Sequence, residues 1–157
     1  MVKTHKVTHL KPLTEVIFNS YPDPKQTFFK ISSNQTNRKK IDILLDYLKL
    51  ICPISKNELE TIIGQDYYPS LYELISQKLI RVSNFFVFVN DQQICFRRVL
   101  KDVTRDLTLI SNEEIAEGVK VLISHQSFDI DYTIKLILKC LGYTKMNQHQ
   151  YSYQKDV

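Results

Sequence analysis

The sequence predicts an α+β fold, mainly helical, in two tandem winged-helix modules, each a helix-turn-helix unit closed by a β-hairpin. Three observations lead there. Leu74-Ile75-x3-Leu79 recurs as Leu136-Ile137-x3-Leu141, 62 residues later, and self-similarity at such a period marks a repeated small unit. Two Ser-x-x-Glu capping boxes, at Ser55 and Ser111, each open a run of helical periodicity. Between Arg38 and Phe96, three helical stretches are followed by a β-branched and aromatic run. The expected boundaries are residues 1–37 for a basic arm or linker, 38–96 for the first module and 97–157 for the second. One winged helix with a helical cap is the alternative organisation.

In the arm, Leu13, Val16, Ile17 and Tyr21 fit a short helix, Pro22-Asp23-Pro24 reads as a break, and Thr27-Phe28-Phe29-Lys30-Ile31 alternates like a short strand. The arm either packs on the body or connects to something preceding it. In the first module Ile41, Leu44, Leu45, Leu48 and Ile51 form one helical face that ends at Pro53. Ser55 caps a second, short helix carrying Leu59, Ile62 and Ile63, with Gly64 as its stop. Pro69 suits the first turn of a third helix, whose buried stripe is Leu71, Leu74, Ile75 and Leu79. Ile80-Arg81-Val82, then Phe85 to Val89, the turn Asn90-Asp91-Gln92-Gln93 and Ile94-Cys95-Phe96 follow as the wing.

The second module begins with a helical face of Val99, Leu100, Val103 and Leu107. A helix over about 112–124 follows the Ser111 box and carries Ile115, Val119, Leu122 and Ile123, with His125 suited to its C-terminal dipole. Asp129 caps the next helix, which is apolar nearly all round and stops at Gly142, so burial on more than one side is expected. Residues 143–154 read as a short final hairpin.

The chemistry these residues exclude is broad. Glycine-rich phosphate loops, a nucleophile elbow and paired carboxylates in an obvious cleft are absent, so no enzyme activity, cofactor or small-molecule substrate is expected. Cys52, Cys95 and Cys140 lack metal-ligand spacing and read as buried hydrophobes in a reducing compartment, and His5-x3-His9 is the only pair with helical metal spacing, in the arm. No metal site and no membrane contact are expected, because no run approaches the roughly 18 apolar residues of a span.

The charge of +4 is uneven. Residues 1–40 hold eight Lys/Arg against two acids, +6, whereas 41–110 hold eight against nine and 111–157 five against six. The third helix of the first module offers Tyr68, Ser70, Glu73, Ser76, Gln77 and Lys78 outward, and that of the second leads with Asp129 and Asp131, which would repel phosphate. A protein interface through Tyr67, Tyr68, Glu73, Gln77 and Phe85 is the sharper expectation, because aromatic anchors dominate interfaces. The nucleic-acid candidates are Arg38, Lys39 and Lys40 at the first helix, and Arg97, Arg98 and Lys101. With Arg105, the last three interleave with Asp102 and Asp106 at spacings that would pair them along a helix.

The helix of Ile41 to Ile51, the Ser55 box, Leu71 to Leu79 and the following hairpin resemble the protein-binding winged helix of the replication protein A middle subunit. Two such modules in tandem resemble the carboxy-terminal half of the corresponding subunit of the CST telomere-capping complex. The resemblance covers about residues 38 to 155, and the oligonucleotide-binding barrel usual in that subunit has no room in residues 1 to 37. It implies a nuclear, non-catalytic adaptor linking a single-strand DNA-binding assembly to a polymerase or telomerase partner. At most a weak nucleic-acid contact through the basic arm is expected of the adaptor; the alternative is a small winged-helix DNA-binding accessory subunit that uses that arm.

Overall fold

The computed structural model describes residues 13–34, 37–126 and 129–143. The fold is α+β and mainly helical. The arm supplies α1 (Leu13–Ile17), β1 (Asn19–Ser20) and α2 (Pro24–Ser33). Then come α3 (Lys40–Ile51), β2 (Ile54–Ser55), α4 (Lys56–Ile63) and α5 (Tyr68–Ser76), the last two joined through a 3-10 turn at Gln65–Tyr67. The strands β3 (Ile80–Ser83), β4 (Phe86–Val89) and β5 (Arg97–Arg98) precede α6 (Asn112–His125) and α7 (Ile130–Cys140).

Residues 40–89 follow the local rules closely. The α3 stripe buries Ile43, Leu44, Tyr47, Leu48 and Ile51, Ser55 Oγ accepts from Glu58 N at the start of α4, and Gly64 ends α4 at φ 77°. Pro69 lies in the first turn of α5, whose buried residues are Leu71 and Leu74. Leu79, expected on that stripe, lies beyond the helix and is exposed, because Lys78 turns the chain at φ 61°. A three-stranded antiparallel sheet of order β2-β4-β3 closes the unit, with Ile54 opposite Val87 and Ile80 opposite Val89.

The hairpin turn falls earlier than expected, at Asn84-Phe85 rather than at Asn90–Gln93, and Ile94–Phe96 forms no strand. Both turn residues have positive φ, 50° and 70°, which gives the twist that a two-residue hairpin loop requires. Asn90 instead ties the base of the hairpin, its amide nitrogen donating to Lys78 O and its oxygen accepting from Arg81.

Residues 13–34 of the arm are part of the body. Residues 27–31 are helical, not extended: Asp23 Oδ1 accepts from Gln26 N and Pro24 occupies the first turn, an N-cap arrangement that overrides the local alternation. Phe28 is buried edge-on against Tyr47 and Tyr67, with centroids 5.0 and 5.1 Å away, and the Tyr47 hydroxyl donates to Pro24 O. Upstream, β1 pairs in parallel with β5, and Phe18 meets Phe96 edge-on at 4.9 Å in a second core with Ile110, Leu122, Ile137 and Leu141.

Residues 99–107, expected as a helix, are irregular, ending in a 3-10 turn at Leu107–Leu109 that Asp106 caps. Asp102 takes φ 65°, and the segment's amides go elsewhere, Val99 N to Cys140 O and Arg105 N to Leu141 O. The α7 helix buries Ile134, Ile137 and Leu138 but exposes Ile130 and Tyr132, so it has one buried stripe where burial on several sides was expected. The 62-residue likeness does not mark equivalent positions, since Leu141 is buried and Leu79 is exposed. Cys95 is exposed, contrary to the expectation for all three thiols. The expected final hairpin and His5 and His9 lie outside the described residues.

Two glycines are set by close approach. A Cβ on Gly118 of α6 would stand 2.7 Å from the Phe96 ring and 2.9 Å from Ile137 Cδ1. Gly142 has φ 100°, and a Cβ there would strike the Val103 carbonyl and come within 2.7 Å of Thr104 Cα. The Gly142→Ala variant is expected to lose about 2 kcal/mol, the combined scale of backbone overpacking and left-handed strain. Chemical denaturation of the variant beside the parent chain checks this; an unchanged midpoint would contradict it.

Candidate interaction surface

The five residues expected at a protein interface are placed in four different ways. Tyr67 turns inward: its ring rests on Phe28, Lys40 Nζ lies 5.7 Å from its centroid, and burial raises its phenol above the usual range. Tyr68 is half-buried and its hydroxyl reaches Glu60 O at 3.5 Å. Glu73 and Gln77 face outward and bind each other, Gln77 Nε2 donating to Glu73 Oε1 at 2.9 Å. Phe85 stands apart at the hairpin tip, 83% exposed and in the left-handed region, with its carbonyl accepting from Lys56 N at the start of α4. A bulky aromatic residue in water at positive φ is an uncommon combination.

The exposed face between α4 and α5 is electrically balanced. Lys56 Nζ lies 3.4 Å from the Glu60 carboxylate and 5.8 Å from the Tyr72 ring centroid, and the Tyr72 hydroxyl reaches the same carboxylate.

The basic candidates differ in exposure and in what they touch. Arg38 pairs with Asp46 at 2.6 Å, Lys39 is the exposed N-cap residue of α3, and Lys40 leans over Tyr67. Lys101 is exposed in a turn. Arg98 is half-buried and donates through Nε to Phe18 O at 3.2 Å. Arg97 is buried, so it is not presented to phosphate. The expected pairing of Arg97 and Arg105 with Asp102 and Asp106 is also replaced, because no helix forms there to bring those charges together.

The two arginines converge on Glu114, whose side chain is fully buried. Arg97 Nη2 lies 2.9 Å from Oε1 and Arg105 Nη1 2.7 Å from Oε2. The remaining Arg97 donors reach the carbonyls of Ile51 and Pro53 at the end of α3, and Arg105 Nη1 also donates to Arg97 O. Tyr21 covers the cluster, its ring centroid 3.8 Å from Arg105 Cζ and 4.9 Å from Arg97 Cζ. Burial alone would raise the Glu114 carboxyl, but the hydrogen bonds and charges of Arg105 and Arg97 outweigh it and hold it below the usual glutamate range. Burial pushes the Tyr21 phenol up to about 12. Ser111 Oγ still accepts from Glu114 N, as the capping box predicts, while the Glu114 carboxylate turns to the arginines. This cluster fastens the arm, the end of α3, the 97–105 segment and α6 together.

A further surface lay outside the sequence reading. Tyr21, Glu58, Leu100, Val103 and Leu109 line a cleft of about 370 Å³. Through Glu58 and Leu109 it joins a depression bordered by Lys25, Thr61, Ile62 and Phe85. That in turn continues past Lys25, Thr61 and Ile62 to Phe28, Phe29 and Lys30. Phe29, Leu100 and Val103 are exposed beside these depressions. The Asp23-Pro24 helix start was the available signal, since a helix from there puts adjacent Phe28 and Phe29 on different sides.

Among the described residues no His, Cys, Asp or Glu cluster could hold a metal ion, and no helix is long and apolar enough to cross a membrane. Comparison with protein-family models, with characterised proteins and with solved structures gives no match.

Proposed function

We propose that this chain is a non-catalytic protein-interaction adaptor built of two tandem winged-helix modules, the first carried by residues 40–89 and the second beginning at residue 97. Support for the first winged helix comes from the order helix, strand, helix, helix, strand, strand, with the short first strand beside the last. In keeping with the resemblance to the CST and replication protein A middle subunits, the adaptor would serve a nuclear single-strand DNA-binding assembly and link it to a polymerase or telomerase partner.

The observation that carries the binding mode is the outer face of α5 and the hairpin tip, the place where a DNA-reading module presents side chains to the major groove. Here that face offers Tyr72, a Glu73-Gln77 pair and an exposed Phe85, while Lys56 is held by Glu60. Such a face suits a protein partner better than a polyanion.

The test is fluorescence anisotropy of single- and double-stranded oligonucleotides with the intact chain at about 50 and 200 mM salt. Weak binding at both is expected. Tight binding that falls steeply with salt and disappears in a Lys39→Ala, Lys40→Ala, Lys101→Ala variant would replace the adaptor by the DNA-binding accessory subunit.

A further inference from the structure

Where the arm meets α7 there is a cleft of about 410 Å³ that the adaptor reading does not use. Three elements line it: Leu13 and Glu15 come from α1, Arg98 and Val99 from β5 and the residue after it, and Leu136 and Lys139 from α7. A volume of that size is enough for a small organic molecule.

Arg98 is the half-buried charge of this cleft. Its Nε donates to Phe18 O at 3.2 Å, which uses one of the five N–H groups of a guanidinium. Among the described residues neither Nη meets a hydrogen-bond acceptor or a carboxylate. Arg97 and Arg105 differ in this, since both direct their forks to Glu114. A guanidinium partly removed from water with its fork unfilled favours a carboxylate, which can accept from both Nη groups at once.

The other charges set which anion fits. Lys139 adds a base and Glu15 an acid, both exposed and neither in an ion pair among the described residues, so two bases and one acid leave a balance of +1. Burial raises the Cys140 thiol that lines the same cleft, and the Thr14 hydrogen bond and the charges of Arg98 and Lys139 oppose that rise, so the two bases bear on one place. A monoanion matches this balance, whereas a dianion would carry an excess of negative charge to Glu15.

We propose that this cleft binds a small organic monocarboxylate, its carboxylate held by the Arg98 Nη fork with Lys139 beside it and its apolar body on Leu13, Val99 and Leu136. The site is independent of the adaptor reading and involves no reaction. The ligand is held, and it touches the arm and α7 together.

The experiment is calorimetric titration of the full chain with hexanoate, N-acetyl-leucine, N-acetyl-leucinamide, acetate and inorganic phosphate. Hexanoate and N-acetyl-leucine are expected to bind saturably with a Kd below about 1 mM. Acetate and the amide should each bind at least about tenfold more weakly, because one lacks the apolar body and the other the charge. Arg98→Lys, which keeps the charge but loses the fork, should weaken hexanoate about tenfold. Lys139→Ala should weaken it and Glu15→Gln strengthen it, each about threefold. Both are changes of exposed side chains, so they decide the matter if Arg98→Lys fails to fold.

No saturable binding, equal affinity for the amide, or an affinity unmoved in the three variants overturns the proposal. Phosphate bound as tightly as hexanoate would show an adventitious ion only, and would overturn it too.

Discussion

Replacing Glu114 by alanine is expected to lower the unfolding free energy by about 3–5 kcal/mol, because it leaves two buried guanidinium groups without their counter-charge. Urea denaturation followed by circular dichroism measures it, and a loss below about 1 kcal/mol would mean that water reaches the cluster. The large figure is the cost of breaking the set, not the net worth of having it. A triple variant with apolar residues at Arg97, Arg105 and Glu114 is therefore the informative control, and it is expected to recover much of the loss.

The same group sets an acid limit. Its folded pKa lies below the unfolded one, so its contribution is complete above the usual glutamate range and is lost as pH falls through the depressed folded value. Glu58, with its folded pKa raised, acts in the opposite sense and costs stability as pH rises through that value. The Glu114→Ala variant should accordingly show a flatter acid limb than the parent chain.

The second large effect is expected at Phe28. Its truncation to alanine removes a ring held edge-on between Tyr47 and Tyr67 and should cost about 3–5 kcal/mol. Hydrogen exchange across Pro24–Ser33 should become fast well before the body unfolds, because the Tyr47 bond to Pro24 O is then the main tie left to α2. Protected amides in α2 of the variant would show that Ile31 and the neighbouring backbone hold the helix unaided.

Much of residues 40–89 was legible because its determinants are local. A 3.6-residue apolar period, a Ser cap at Ser55, a Gly stop at Gly64 and a Pro start at Pro69 each act within one turn of chain. The α2 helix was missed although it uses the same rule as Pro69, because Pro22-Asp23-Pro24 also fits a break and Thr27–Ile31 happens to alternate. The hairpin turn was missed because Asn84-Phe85 puts an aromatic residue where a glycine is usual.

The Glu114 cluster could not be read at all. Arg97 meets its carboxylate 17 positions away and the Ile51 carbonyl 46 away, and nothing local distinguishes these arginines from solvated ones. The depressions beside α4 were hidden for the same reason, being lined from α2, α4, the hairpin tip and residues 100–109. Of the expected interface, Phe85, Glu73 and Gln77 are placed outward and Tyr67 inward, a distinction that only the α2 packing decides.

The bond from Arg98 to Phe18 O spans 80 residues, and this has a consequence for the order in which the chain is made. At about 5–20 residues per second, the ribosome needs roughly 4–16 s after Phe18 to deliver its partners. The core of Phe28 to Val89 is complete in sequence before then and can close on its own stretch of chain. The other core cannot, since Phe18 must wait for Phe96 and then for Ile137 and Leu141. Synthesis therefore leaves Phe18 uncovered until Ile137 and Leu141 have been made, and α1 with β1 can clasp the second core only after the first has its full complement of residues.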